Sequence, residues 1–527
     1  MRIPIINSNS QGMVQDVSDT VLPLEQWTYL EGVRVQDGKL KRFGGQEYVG
    51  LLIDLEPTGI FQYRRGDLAN SLFLVDEESI WFTDGTIPVD VSGSTAPYSA
   101  LPNGWTFTNF NGVPILNSVQ EVPQAAESFP LSAVVDLSNW PADWLANSIR
   151  SYKTLLIALN LTISGDELPH QFAHSDIVED PFTVPANWSV ADPESVAGLD
   201  VLADSEGPIV DGLQLRELFV IYKDRQAYVL TLGGSNVFTI LQTFSKGLIA
   251  LNCVCLINTS DGPRHFCVGQ EDIYLSTGYQ EQSITNERLT KWLYGDGKIP
   301  GQITMGLESH VHVKHHQSAR EVWTMFPRGE DAAGCNYALI YSYGSNKPGF
   351  TLFPLYEGVI TVEPALFNVA DEVDTSWDAD SDTWDSDPSR WNAYPATFST
   401  GRLVAVNDGA LVYVDQSATP DIAVIIERTG LAVAGKDYRG QLTYDPDVYK
   451  LLNDFWPRFS GSGSVQVEVP VQELPDGEIT YLGPWTFTIG DKRTPNVYAQ
   501  GNLLGIRIES LDDGLWQMIG YDLDLEV

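Results

Sequence analysis

The stretch Leu218-Phe219-Val220-Ile221-Tyr222-Lys223-Asp224-Arg225-Gln226-Ala227-Tyr228-Val229-Leu230-Thr231-Leu232 decides the fold class. Two runs rich in β-branched and aromatic residues flank a polar turn, Lys223-Asp224-Arg225. Runs of this length, bounded by turn residues, read as an antiparallel hairpin. The unit recurs in both directions along the chain. Leu72–Asp76 is followed by Ser79–Thr86 with its Asp84-Gly85 turn, and Gly104–Thr108 by Val113–Leu116. Downstream, Arg264–Gly269 precedes Asp272–Ser276, Glu321–Phe326 precedes Tyr337–Tyr343, and Gly401–Val406 precedes Gly409–Val414. Helical signals are confined to Pro141–Asn147 and to Thr285–Leu293, which has an N-cap-like start. Short hairpins without long crossovers predict an all-β chain, and their regular recurrence favours a β-propeller core. Glycine and serine at Gly430–Lys436 and Phe459–Ser464 mark boundaries, after which Val465–Val469, Thr486–Ile489 and Gly505–Ser510 alternate cleanly. The expected organisation is an N-terminal strap or platform segment over 1–45, a propeller with inserted loops over 46–430, and a small C-terminal β-sandwich over 431–527.

The 527 residues suffice for several domains, and 43% are hydrophobic, a globular composition. With 31 basic and 70 acidic residues the net charge is −39. A protein that grips nucleic acid through its phosphates needs a basic footprint, so that class is excluded. Adhesion to anionic membranes is disfavoured for the same reason. The N-terminus, Met1-Arg2-Ile3-Pro4-Ile5-Ile6-Asn7, has no apolar core of a signal peptide. No apolar run reaches the ~20 residues that span a bilayer. Cys253, Cys255, Cys267 and Cys335 are too few for a disulfide framework, and they read as buried thiols of a chain made in a reducing cytoplasm.

Few residues invite chemistry. Asp371–Trp391 holds Trp377, Trp384 and Trp391 at a spacing of seven, with Asp378, Asp380 and Asp382 between them. Alternating carboxylates can ligate Ca²⁺, which makes these three aspartates the candidate metal ligands and a Ca²⁺-stabilised adhesin one reading. The EF-hand pattern fails, because Thr383 stands where Gly is needed and Ser389 where Glu is needed. His310, His312, His315 and His316 cluster without an HExxH arrangement or a nearby Cys, and a polar strand end explains them better than zinc. No GxSxG, Walker A or dinucleotide GxGxxG motif is present, so neither catalysis nor a cofactor is expected.

Three segments together resemble a known family. They are Asp211–Asp224 with Ala227–Leu230, Lys246–Ala250 and Gln270–Leu275; then Trp377–Trp391; then Gly501–Glu509 with Leu515–Asp524. The N-terminal Trp27, Gly32–Leu40 and Arg42–Gly45 fit the same pattern. In this order they resemble the tail nozzle or hub proteins of short-tailed bacteriophages, also called tail tubular or DNA-stabilisation proteins. At Asn502-Leu503-Leu504 the chain departs from the Arg-Tyr-Leu common in that family. The resemblance implies a propeller with a platform built from the terminal regions, six copies of which ring the tail axis. The ring would dock on the portal-bound adaptor ring and carry tail fibres or tailspikes. It would extend the channel for double-stranded DNA, retain the packaged genome and conduct it at ejection. The expected location is the virion tail, assembled in the host cytoplasm, with no membrane insertion by this chain. The competing expectation is a carbohydrate-binding or polysaccharide-degrading tail-associated propeller, in which exposed Trp and paired acids would serve the sugar. A sialidase-type propeller would need clustered arginines, and arginine is scarce in this chain.

Overall fold

A computed structural model describes residues 2–5, 12–52, 55–65, 70–101, 103–189, 192, 194–233, 237–344, 348–367, 401–417, 419–439, 441–475, 477–491 and 496–527. Antiparallel strands dominate them. Six consecutive four-stranded meanders begin at Gly59–Tyr63, Trp105–Phe110, Trp144–Tyr152, Ile209–Leu215, Val254–Thr259 and His312–His316. A seventh begins at Glu363–Ala365, continues through Arg402–Asn407 and Ala410–Ser417, and takes its outer strand, Gly45–Leu52, from near the N-terminus. The first strands of successive sheets pack side by side, and the seventh abuts the first. The result is a β-propeller of seven blades, closed by an outer strand borrowed from a distant part of the chain.

Turn chemistry sets the registers. In four hairpins two residues of positive φ join directly paired strands: Asp37-Gly38, Asn111-Gly112, Ser164-Gly165 and Asp408-Gly409. Mirror-image turns of this kind match the right-handed strand twist, and Gly at the second position relieves the clash a Cβ would cause. In the first blade the Asp76 carboxylate accepts from the backbone N–H of Glu78 and Ser79, making the turn that sends the chain back along Ile80–Thr83.

Apart from the separate two-stranded sheet Val433–Lys436 with Leu442–Tyr444, the remaining strands form a sandwich built from both ends of the chain. One sheet runs in the order Val33–Gln36, Lys39–Arg42, Trp516–Glu526, Lys450–Gly461 and Ala499–Gly501, and Arg2–Ile5 also pairs with Trp516–Glu526. The other orders Tyr29–Glu31, Ile425–Leu431, Leu503–Ser510, Ser464–Gln472 and Thr480–Thr488. Alternate residues turn inward: Val465, Val467 and Val469 from one sheet, Trp516, Met518, Leu523 and Leu525 from the other. The second sheet is continuous with the sixth blade, because Tyr29–Glu31 lies parallel to Gly349–Pro354 with Glu31 opposite Leu352. Segments 1–45 and 431–527 therefore interleave in shared sheets, and Ile425–Leu431 runs across the boundary expected at 430.

Two helical expectations need correction. Pro141–Asn147 is not helical: Trp144–Tyr152 is the inner strand of the third blade, with Trp144 opposite Ile163. Cross-strand burial of Ala146 and Ile149 outweighs the local preference of a short segment. In 285–293 the α-helix is only Thr290–Tyr294, and the Asp16 carboxylate accepts from the backbone N–H of Lys291 and Trp292 at its start. No helix among the described residues is long and apolar enough to cross a membrane.

Candidate functional site: the propeller axis and its arginine-lined mouth

Side chains from the inner strands fill the axis. Phe61 and Phe107 stack with centroids 5.5 Å apart, and the Lys314 ammonium sits 4.7 Å from the Phe61 ring centroid. Lys314 donates to the Ile60 carbonyl at 2.7 Å and to Glu363 at 2.6 Å, which ties the sixth, first and seventh blades together. The space left between these groups, Trp105 and Arg150 is about 160 Å³.

Asp211, which opens the first segment of the family resemblance, is the electrostatic anchor of this axis. Its carboxylate is fully buried and accepts from Arg150 Nε at 2.9 Å and Nη2 at 2.6 Å, from Ser148 Oγ at 3.0 Å, and from two backbone N–H groups. Arg150 also donates to the Phe107 carbonyl and the Asn252 side chain. One ion pair thus spans the second to the fifth blades. A buried charge is tolerated only when paired and hydrogen-bonded in this way. Nothing local in the sequence signals this role for Asp211, because its partner lies 61 residues away on another blade.

At the end of the axis where the inner strands finish, the surface opens into a cavity of about 1340 Å³. Arg64 and Arg320, from turns of the first and sixth blades, and Arg264, from the strand Gly262–Val268 of the fifth, reach its wall, and Asp261 is the one carboxylate in that wall among the described residues. Arg264 and Asp261 approach to 3.5 Å. Among the described residues Arg64 and Arg320 have no carboxylate partner. The Arg320 stem packs on Gly344, where a Cβ would lie 3.1 Å from its Cδ. The rest of the wall is amide, hydroxyl and aromatic: Asn109, Asn258, Gln282, Ser318 and Tyr343 among them. Scarce as arginine is in this chain, the fold gathers three into one concavity, a convergence that only the tertiary topology creates.

The histidines lie partly here and behave as structural groups. His312 points Nδ1 at the His310 carbonyl and Nε2 at Thr361 Oγ1, so Nδ1 carries the proton and Nε2 accepts. His315 meets the Tyr343 hydroxyl at 2.6 Å, and His316 the Gly401 carbonyl at 2.9 Å. Burial lowers His312 and His315 to about 4 and also lowers His316, so these rings are neutral at pH 7. Among the described residues no group of three or more His, Cys, Asp or Glu is arranged to hold a metal ion. The candidate ligands Asp378, Asp380 and Asp382, and the three tryptophans around them, lie outside the described residues. All four cysteines are free thiols, and burial raises their pKa values. Cys253 donates to the Val311 carbonyl and Cys335 to the His310 carbonyl.

No protein-family model matches the chain, and no curated protein matches it. Among solved structures, Hsv2 of Kluyvelomyces marxianus aligns over 65% of this chain and 96% of its own, at 8% identity and a TM-score of 0.28. The propeller assignment stands on the strand pairing described above.

Proposed function

We propose that the chain is a structural component of the tail nozzle or hub of a short-tailed bacteriophage. In this reading six copies form a ring below the portal-adaptor complex, which extends the DNA channel, holds the packaged genome back and conducts it at ejection. The observation that carries the proposal is the plugged propeller welded to a sandwich made from both terminal regions. The weld is a buried ion triad: Arg34 of the sandwich donates to Glu321 of the sixth blade and, at 2.6 Å, to Asp415 of the seventh. Such a body suits a rigid building block that transmits load between neighbours.

A 160 Å³ axial space cannot admit a duplex, so DNA would travel along the axis of the assembled ring and not through any one propeller. A chain at −39 would line such a conduit with charge that repels phosphate and lets DNA slide. Adaptor proteins above and fibres or tailspikes at the side would be its protein partners, and the site of action the virion tail. Negative-stain images of the purified protein and of virions test this. Closed rings with a central hole are expected; monomers alone in both preparations would overturn the reading. The competing carbohydrate reading draws its support from one place, the arginine-lined mouth.

A further inference from the structure

We propose that the mouth formed by the inner-strand ends binds a carboxylate-bearing oligosaccharide, with Arg64, Arg264 and Arg320 holding its acidic groups. The inference is independent of the ring reading, since the cavity lies within one protomer.

Acidic residues outnumber basic ones by more than two to one in this chain, so carboxylates are plentiful partners for a guanidinium. Asp211, Asp522 and Glu427 show the pattern, each holding an arginine. Arg64 and Arg320 have no carboxylate partner among the described residues, and both face this concavity. A planar guanidinium matches a carboxylate with two parallel hydrogen bonds, which gives orientation as well as affinity.

The remaining wall selects the ligand class. Side-chain amides and hydroxyls at Asn109, Asn258, Thr259, Gln282 and Ser318 can both donate to and accept from sugar hydroxyls. Tyr343 adds an aromatic ring, placed by its bond to His315. A peptide ligand would ask for a deeper apolar pocket to anchor a side chain. A nucleic acid would ask for an extended basic track, which a chain at −39 does not offer. A volume of about 1340 Å³ has room for several sugar rings.

The test is titration calorimetry on the full chain at low salt. The acidic probes are trigalacturonic acid, an oligoguluronate and an α2,8-linked sialic acid trimer. Maltotriose, a glutamate-rich peptide and an oligothymidylate serve as comparisons. At least one acidic saccharide is expected to bind, maltotriose is not, and affinity should fall as salt rises. Arg64→Ala and Arg320→Ala should each weaken binding about tenfold, the loss expected of one charge-assisted contact. Both side chains are exposed, so the variants should keep the wild-type circular dichroism and melting profile. The proposal fails if no acidic saccharide binds, if maltotriose binds equally well, or if both variants bind like wild type. Binding of only the peptide or the oligonucleotide would also overturn it, by assigning the mouth to another class of ligand.

Discussion

Asp211 shows how one side chain can hold a ring of blades together. Replacing it with Asn removes the countercharge of Arg150, a guanidinium that is almost fully buried. Breaking a buried pair from one side costs about 3–5 kcal/mol, because a desolvated charge is left behind. Asp211→Asn should therefore lower the urea midpoint markedly, and Arg150→Met added to it should recover part of the loss. A double mutant no more stable than the single would show that the pair is not the source of the effect. A second residue-scale expectation concerns pH. Burial holds His265, His312 and His315 near 4, whereas the unfolded chain titrates near 6.5. Protonation then favours the unfolded state, so stability is complete above about 6.5 and is lost as pH falls toward about 4. Melting temperatures measured across that window should drop, and His312→Gln should flatten the slope.

Among the elements, Gly45–Leu52 has the widest reach. It supplies the outer strand of the seventh blade, while residues just before it supply strands to both sheets of the sandwich. A chain lacking residues 1–52 would leave the Ala410–Ser417 edge open and remove four sandwich strands, and unpaired edges invite association. It should be recovered as aggregate in size-exclusion chromatography; a monodisperse, cooperatively melting product would refute this account of closure. The same element explains what sequence could and could not reveal. Hairpins such as Leu218–Lys223 with Ala227–Leu232 were legible because both strands and the turn lie within a few residues. Blade number was not, since outer strands such as Val89–Asp90 and Val135–Asp136 are two residues long and carry no periodicity. The seventh blade was hidden for another reason: its outer strand lies more than 300 residues before the strands it joins. The arginine mouth was illegible for the same cause, as Arg64, Arg264 and Arg320 meet only once the ring has closed.

At the scale of the whole molecule, net charge opposes the association proposed above. Copies carrying −39 each repel one another, and the repulsion is screened over roughly 10 Å at 0.1 M salt. Mass photometry should therefore show a larger ring fraction at about 0.3 M NaCl than at about 0.02 M. A ring population that falls with added salt would mean that complementary charge, not apolar or backbone contact, holds the copies together.

The pairing of Arg2–Ile5 and Lys39–Arg42 with Trp516–Glu526 carries a consequence for biosynthesis. The partner strand leaves the ribosome more than 470 residues after the strands that wait for it. At 5–20 residues per second that interval is roughly half a minute to a minute and a half. During it the propeller can close, since all seven blades are complete by Ser417, while the early strands stay unsatisfied. Translation order thus delays the finished sandwich until residue 526 has been made, so prematurely terminated chains would carry a closed propeller beside an incomplete sandwich.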